Sequence, residues 1–538
     1  MEDCCERKKT LMAEKPLMDK KRKRDFGVPV NDALEKMATY GVMTNMILYL
    51  VNEYHMEMAT ASNILFLWTA ANNFMPVLGA AIADSYLGRF YTIGLGSIVY
   101  VMSMVLCSSL GLISVGAGGI RASSMVFGAD QLENEDGKEN SGVDESYFSW
   151  YYTLYMFAML LGYTCVVYVQ DNMGWTAGFA FPSVLMMFGT VSFFLGSPFY
   201  VQVQTNTSLF TGLFQVLVAS YRNRRFKLPS DATTKIIYYR KNGPAPGFPS
   251  SKLRFLNKAC IVRDPQKDLM PDGRARDPWS LCTIDQVEEL KALLSIVPIW
   301  SSGMIMFVDL SQNSFPVLQA TATNRRITSG FTVPAASLQI ITTISTILWV
   351  GLKDSVLLPL ASRVMGRPVN ISTTRRMGIG IFLSFLAMMA TAAVESIRPG
   401  QAIKDGNSSE HHLISALWLV PQYCLSGLSD GFSDITQSEF YYSELPRSMS
   451  SIASTLSGLG FAMGSLLASI VMNMVDSISK AGGHPSWITS DINKGRYDYY
   501  YLVLSGLSMA NMVYYLVCRR AYGPLKEERR LTENEDEL

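Results

Sequence analysis

Long apolar stretches recur along the whole chain and alternate with shorter polar segments. Most of them contain the roughly 20 residues that a helix needs to cross a hydrocarbon core of about 30 Å. The pattern therefore predicts an all-α integral membrane protein. Its eleven apolar segments are 34–54, 59–83, 91–129, 148–169, 179–200, 290–312, 332–352, 375–394, 413–441, 453–475 and 498–518.

The segment at 91–129 is about twice as long as the others. It has 39 residues and a single charge, Arg121. As one straight helix it would measure about 58 Å at 1.5 Å per residue, far more than a membrane core requires. We therefore predict two short helices that meet near Ser108–Gly111 with almost no loop, which brings the total to about twelve transmembrane helices.

The placement of charge supports an even number of crossings. The stretch from Arg222 to Arg276 holds fourteen Lys and Arg against four acids, and the first 24 residues carry nine basic side chains. Basic segments prefer the cytoplasmic face, and only an even number of helices between these two lets both lie there. We therefore predict cytoplasmic termini and two six-helix halves, divided into an N-terminal tail, first half, basic linker, second half and C-terminal tail at 1–30, 31–221, 222–286, 287–519 and 520–538.

Composition excludes several classes of protein. A net charge of +1 argues against a generally basic nucleic-acid binder. The eight cysteines lack the spacing of a metal site and the four histidines are scattered, so we predict no bound metal. No P-loop and no Ser/His/Asp arrangement is present, which predicts neither an enzyme nor an ATP-driven pump.

A repeated turn motif supports the two halves. Asp84 precedes Gly88–Arg89 after the second predicted helix, and Asp354 precedes Gly366–Arg367 after the eighth. Glycine permits a tight bend, while Asp and Arg can pair across helix ends. Two six-helix halves joined by a polar linker predict a major-facilitator fold, in which substrate binds between the halves near the membrane midplane.

Charged residues at the start of the first helix are the first candidates for function. Helical spacing places Asp32, Lys36 and Tyr40 on one face with Glu35 beside them. Charges at membrane depth cost about 2.5–3.5 kcal/mol each and therefore need a partner or a function. Two carboxylates beside a lysine suit proton coupling. The alternative is an interfacial first turn, in which acids favour the helix dipole and the lysine reaches the surface.

Further charges lie deeper in the predicted membrane region. Arg121 follows the glycine-rich run 116–119, and glycines allow close helix approach. Its partner can be a static structural acid, or an acid of the other half from which it separates during transport. The candidate acids in the seventh and tenth helices are Asp309, Asp430, Asp434 and Glu439.

Several segments together resemble the plant nitrate/peptide transporter family, within the proton-dependent oligopeptide transporters of the major facilitator superfamily. The resemblance covers nearly the whole chain from Asn31 to Gly523. It rests on Glu35–Gly41, Ala83–Phe90, Gly116–Arg121, Phe127–Gln131, Leu253–Lys258, Val287–Lys291 with Pro298–Trp300, and Asn493–Tyr500.

This resemblance implies proton-driven symport by alternating access, with helices 1, 4, 7 and 10 lining the site. The family's proton-coupling motif, Glu-x-x-Glu-Arg/Lys, reads Asp32-x-x-Glu35-Lys36 here, so the first acid is one methylene shorter. The family's basic residue in helix 4 falls on Arg121. Its acidic position in helix 10 falls on Asp430 or Asp434, and we favour Asp434 as the partner of Arg121.

Two features depart from the family pattern. The region between helices 3 and 4 lacks the usual extracellular loop and parts of both flanking helices, so we predict that it is shortened. This deletion motivates an alternative function, that of a transport-deficient sensor or regulatory partner. Relatives that carry nitrate can use a histidine in helix 7. Asp309 stands nearest to that position and would repel nitrate unless protonated.

The sequence thus predicts a proton-coupled symporter of the plasma membrane, in preference to the vacuolar membrane. Its expected partners are protons, the lipid bilayer and a small solute such as nitrate, a peptide, a hormone or another metabolite. No cofactor is expected, since the proton gradient supplies the energy. Arg89-Phe-Tyr-Thr92 also fits a basophilic kinase site, although so short a pattern arises by chance.

Overall fold

The computed structural model is almost entirely helical. It describes residues 27–105, 110–131, 141–201, 209–225, 238–240, 249–250, 252–270, 273–328, 331–353, 356, 358–366, 371–404, 414–446, 449–481, 483 and 485–536. Residues 1–26 of the predicted N-terminal tail, Asp354 and Arg367 lie outside these residues.

The helices follow the apolar segments of the sequence. In chain order they are α1 Gly27–Asn52, α2 Met58–Ile82, α3 Arg89–Val105, α4 Leu110–Asp130, α5 Ser141–Leu161, α6 Val167–Leu195, α7 Leu209–Arg222, α8 Pro265–Asp268, α9 Ile284–Leu310, α10 Ser314–Thr321, α11 Ile340–Leu352, α12 Leu358–Met365, α13 Thr373–Lys404, α14 Val420–Glu444, α15 Ser450–Lys480 and α16 Tyr497–Asp536. Single π-helical turns at Ala83–Leu87 and Gly162–Val166 follow α2 and α5, and 3₁₀ turns occur at Ser197–Phe199, Leu256–Ala259, Ala335–Gln339 and Ala416–Leu419. A short antiparallel ribbon pairs β1, Arg326–Thr328, with β2, Phe331–Thr332.

Membrane crossings can be counted from the described helices. Eight segments are long and apolar enough to cross a membrane, and one of them runs from Trp150 to Phe199. Gly174 interrupts that segment with φ 83° and ψ 170°. A Cβ on Gly178 would lie 3.0 Å from the Cα of Gln170, so the chain turns back and the segment contributes two crossings.

Three further helices complete the predicted set. The apolar helix α3 has 17 residues. The helices α1 and α14 are not among the eight, because they carry the acidic and basic residues that the sequence singled out as candidates. With these three, the described helices account for the predicted twelve crossings.

The double-length segment folds as two helices, as predicted. Helix α3 ends at Val105 and α4 begins at Leu110, and the two pack in antiparallel order. A Cβ on Gly119 would lie 2.9 Å from the carbonyl oxygen of Thr92, and one on Gly116 would lie 2.5 Å from the backbone nitrogen of Tyr100. At 1.5 Å per residue α3 is about 25 Å long, less than the usual hydrocarbon core of about 30 Å.

We expect Gly116→Ala to destabilise the protein. The added methyl would meet the backbone of α3, which cannot move aside as a side chain can, and overpacking of this kind costs about 1–3 kcal/mol. Gly506→Ala is the matched control, because a Cβ at Gly506 meets no atom within 4 Å of it. Thermal unfolding of the detergent-purified proteins gives the melting temperature of each variant. Equal melting temperatures for the two variants would contradict this account of the α3–α4 contact.

The tight bend predicted for the turn motif depends on backbone conformation. Gly88 has φ 78° and Gly366 has φ 63°, both in the left-handed region that favours glycine. Asp84 and Arg89 pair across the first turn with a carboxylate-to-nitrogen distance of 3.7 Å. Thr92 is buried and its hydroxyl donates to the Gly88 carbonyl at 2.9 Å, so a kinase could reach it only if this turn opened.

The chain divides into two compact units. The first comprises Met1–Gln204, Ser302–Gln437 and Ser457–Leu516. It contains a large apolar core drawn from helices of both predicted halves. The predicted boundaries of the halves and the linker stay a prediction.

The second unit comprises Thr205–Ser301, Ser438–Leu456 and Val517–Leu538. It has a small core of its own, to which α7, the Leu256–Ala259 turn and the start of α9 contribute. Cys260 and Cys282 lie in this core, and burial raises the pKa of both thiols to about 12. Both thiols therefore stay protonated near neutral pH and serve as small apolar side chains.

Candidate functional site

A buried ion pair joins α1 to α4. Arg121 donates through Nε to Glu35 Oε2 at 3.0 Å and through Nη2 to Glu35 Oε1 at 2.8 Å. The Thr39 hydroxyl donates to the same carboxylate at 2.6 Å. The Glu35 side chain is fully enclosed, and that of Arg121 is 12% exposed. A bidentate arginine–carboxylate pair is among the strongest hydrogen-bonded pairs in proteins, and here it is shielded from water.

Lys36 and Asp32 extend this pair along α1. The Lys36 ammonium lies 3.7 Å from Glu35 Oε2. Asp32 accepts a hydrogen bond from the Tyr151 hydroxyl at 2.7 Å, while its Oδ1 atom is buried and has no hydrogen-bond partner in the described part of the chain. A buried carboxylate oxygen without a donor is costly when charged and can carry a proton instead.

The position of Asp32, Glu35 and Lys36 along α1 tests the alternative that they form a solvated first turn at the membrane interface. Helix α1 begins at Gly27, so Asp32 already lies in its second turn and Glu35 in its third. All three charged residues of the motif are buried in the first unit. A surface turn with solvated acids would leave them exposed, so the structure favours the proposal of a coupled internal cluster.

The cluster can respond chemically to one proton. The cluster contains two acids, Asp32 and Glu35, and two bases, Lys36 and Arg121. When all four groups are ionised, their charges sum to zero. Protonation of one carboxylate leaves a net positive charge in a site of low dielectric, where charges interact strongly. Protonated Glu35 would also lose its charge-assisted bonds to Arg121, which frees the guanidinium to bind another anion.

Tyrosines of α5 and its π-helical turn complete the cluster, and sequence reasoning missed them. The Tyr40 and Tyr155 hydroxyls lie 3.1 Å apart, and the Lys36 ammonium lies 5.3 Å from the centre of the Tyr155 ring. The rings of Tyr40 and Tyr163 meet edge to face at 5.9 Å. Tyr151 and Tyr155 are four residues apart on one helix face, a spacing that could have identified them.

The predicted pairing of Arg121 with Asp434 is wrong in this structure. Arg121 is bonded to Glu35, and Asp434 instead accepts a hydrogen bond from Ser457 at 2.5 Å. The physical reason is that Glu35 comes from a helix packed beside α4 and accepts both guanidinium bonds.

Of the remaining candidate acids, Asp309 and Asp430 line one cavity, and Glu439 does not. Asp309 is buried and accepts a hydrogen bond from Ser384 at 2.6 Å, and its Oδ1 atom lacks a hydrogen-bond partner among the described residues. Asp309 and Asp430 both line a cavity of about 50 Å³, together with Gln312 and Gln422. Glu439 belongs to the second unit, where its side chain is exposed.

Comparisons with known proteins identify the family. Residues 63–488 match the family model described as "POT family". Protein NRT1/ PTR FAMILY 1.2 of Arabidopsis thaliana is 45% identical over 541 residues, which cover 93% of this chain and 89% of that protein. Protein NRT1/ PTR FAMILY 1.1 of the same plant is 45% identical over 539 residues, which cover 93% of this chain and 91% of that protein.

Solved structures show the fold. The POT family transporter PepTSo superimposes with a TM-score of 0.70 at 17% identity, covering 93% of this chain and 98% of that one. An auto-inhibited POT family peptide transporter superimposes with a TM-score of 0.68 at 21% identity, covering 93% of this chain and 97% of that one.

Together these similarities confirm the predicted major-facilitator fold and the predicted family. The protein is a multi-pass membrane transporter and not an enzyme. The chain belongs to the POT family of transporters, together with the NRT1/PTR family proteins of plants.

Proposed function

We propose that this transporter is a proton-coupled symporter that moves a small solute by alternating access. The observation that carries the proposal is the enclosed Glu35–Arg121 pair. A buried carboxylate and guanidinium hold one another only while the acid is ionised. Arrival of a proton at Glu35 therefore releases Arg121, and this couples the proton to whatever Arg121 binds next.

Asp32 and Lys36 tune this exchange. Lys36 stabilises the ionised form of Glu35, while Asp32 lies four residues before Lys36 on the same face of α1. The unpartnered Oδ1 atom of Asp32 provides a second place for a proton. We propose that protons pass between the two carboxylates before Arg121 is released.

Charge placement favours an anionic or zwitterionic solute. Arg121 supplies a positive group in the first predicted half, whereas Asp309 and Asp430 supply acids beside a cavity in the second. Among the solved POT structures are complexes with sulfate, alafosfalin and 5-aminolevulinic acid, all small molecules. We propose the same size class here, without assigning nitrate, a peptide, a hormone or another metabolite.

The transport-deficient alternative receives no support from the described residues. Although α3 is short, α4 is formed and carries Arg121 to Glu35. The proposed coupling pair therefore survives the predicted shortening. We propose further that transport needs no cofactor beyond the proton gradient and that the protein lies in the plasma membrane. The basic linker supports cytoplasmic termini.

Uptake by oocytes under a pH gradient tests this function. We expect a panel of labelled nitrate, dipeptides, plant hormones and small zwitterions to contain at least one solute whose uptake rises in acidic medium. A protonophore should abolish that rise, because it removes the driving force. Normal delivery to the cell surface with no uptake of any panel member, or uptake indifferent to the protonophore, would contradict symport.

A further inference from the structure

Helix α7 has two apolar faces. Leu213, Val216 and Ala219 pack into the small core of the second unit, and the Ser220 hydroxyl bonds to the Leu256 carbonyl at 3.4 Å. The opposite side is also apolar, although it is exposed. Phe214, Leu217 and Tyr221 are 62%, 45% and 66% exposed.

The exposed apolar residues of α7 recur at helical intervals. Phe214, Leu217 and Tyr221 follow one another at intervals of three and four residues and so form one stripe along the helix. A helix that packs one side on a core normally presents charged and polar residues on the other. A contiguous apolar stripe on the outside is the mark of a surface that meets another apolar phase.

Cationic side chains gather at the C-terminal end of α7. The Arg224 guanidinium lies 4.2 Å from the centre of the Tyr221 ring, and the Lys258 ammonium donates to the Arg224 carbonyl at 2.9 Å. Arg263 donates to the side-chain oxygen of Asn223. Arg225 is exposed beside them.

Acids offset only part of this charge. Asp277 accepts a hydrogen bond from Arg222 at 3.1 Å, and Asp268 accepts one from the backbone nitrogen of Arg263 at 2.8 Å. The ion pairs described for this unit leave Arg224 and Arg225 without a carboxylate partner. The end of the stripe therefore carries an excess of positive charge.

We propose that α7 lies in the plane of the membrane surface and binds anionic phospholipid. Phe214, Leu217 and Tyr221 would enter the boundary between headgroups and acyl chains, while Arg224 and Arg225 would contact the lipid phosphates. Amphipathic helices with aromatic and aliphatic residues on one side and flanking arginines bind membrane interfaces in this way. Tyrosine is also enriched at that depth.

The position of α7 in the chain favours lipid over an acidic protein partner. Its first residue, Leu209, follows the last residue of the membrane helix α6, Leu195, by fourteen positions in the chain, so the chain tethers it within about 50 Å of that helix end. Its 14 residues span about 21 Å along the surface. Positive-inside placement puts it on the cytoplasmic leaflet, which carries the anionic lipids.

Native mass spectrometry of the full-length protein tests this inference, independently of any transport activity. After purification from mixed phosphatidylserine and phosphatidylcholine, the protein should retain phosphatidylserine preferentially. Arg224→Gln with Arg225→Gln should reduce that retention about fivefold for each arginine removed. Arg224→Lys with Arg225→Lys should preserve it, since charge and not shape attracts the headgroup.

A control pair separates this surface from the charge of the linker in general. Lys267→Gln with Arg274→Gln removes two positive charges from the same unit but leaves α7 intact, and should keep wild-type retention. Equal losses in the two double variants, or equal retention of both lipids by the wild type, would overturn the inference.

A fluorescence arm locates the helix directly. Phe214→Trp should gain an emission component that brominated phosphatidylserine quenches, measured as the difference from the wild-type protein. Retained fluorescence in the presence of the brominated lipid would place Phe214 in water and overturn membrane insertion. The variant's melting temperature, compared with that of the wild type, shows that the second unit remains folded.

Discussion

Replacement of Glu35 by Gln should abolish proton-driven uptake while leaving exchange of solute across the membrane. Glutamine keeps the shape of the protonated acid but cannot gain or lose a proton. Arg121 would then lack the carboxylate that holds it at 2.8 and 3.0 Å in the closed pair. Loss of hydrogen bonds to a charged group amounts to about 1.5–3 kcal/mol, which changes a coupled equilibrium by about tenfold or more.

The measurement compares net uptake under a pH gradient with counterflow of preloaded solute. Counterflow needs the alternating motion but no net proton movement, so it reports whether the variant is folded and able to cycle. Unchanged stimulation by acid in Glu35→Gln would contradict a coupling role for this residue. Asp32→Asn should shift the pH at which uptake is half-maximal and retain part of the stimulation, because Asp32 is bonded to Tyr151 and not to Arg121.

Glu395→Gln is a matched control for this experiment. Glu395 also forms a buried bidentate pair with an arginine, Arg398, at distances of 2.9 and 3.0 Å. Loss of that charge should lower stability and surface abundance. Uptake per molecule at the surface should nevertheless keep its dependence on the pH gradient. Loss of the pH dependence in both variants would indicate a general effect of broken ion pairs.

The sequence predicted the membrane helices well because their signal is strong and local. An apolar run of about twenty residues has few alternatives to a crossing. Even the division of residues 91–129 followed from length alone, and the two helices end at Val105 and begin at Leu110. The glycines that make this hairpin close were visible in the sequence, although their partners Thr92 and Tyr100 were not.

Partner choice within the site could not be predicted in the same way. Helical periodicity placed Asp32, Glu35 and Lys36 together because they share one helix. Whether Arg121 meets Glu35 or Asp434 depends on which helices pack side by side, and spacing along the chain carries no information about that. The tyrosines of α5 were overlooked for a related reason, since apolar rings with one hydroxyl count as membrane residues until a polar partner is seen.

The ninth predicted crossing, which is α13, extends beyond its apolar segment. That segment, 375–394, stops one residue before Glu395. The helix in fact continues to Lys404. Glu395 and Arg398 neutralise one another three residues apart, so neither has to reach water. A hydropathy pattern treats each charge separately and cannot register a pair.

Replacement of Arg398 by Met should lower the free energy of unfolding more than Gly116→Ala or Asn493→Ala does. The side chain is 1% exposed and donates to both oxygens of Glu395, to Asn493 Oδ1 at 2.5 Å and to the Ile492 carbonyl at 3.0 Å. It thereby ties α13 to the segment that precedes α16. Removal leaves the Glu395 carboxylate buried without a counterion, which costs about 3–5 kcal/mol.

The double variant Glu395→Leu with Arg398→Met isolates the cause. Because an apolar pair of similar volume often replaces a buried ion pair at little cost, the double variant should melt well above Arg398→Met and near the wild type. Asn493→Ala should lower the melting temperature by less than Arg398→Met does, since Arg398 would keep its remaining bonds. If the single and double variants melt at the same low temperature, the tie to residues 492–493 and not the orphaned charge stabilises this end of α13, and the predicted recovery is wrong.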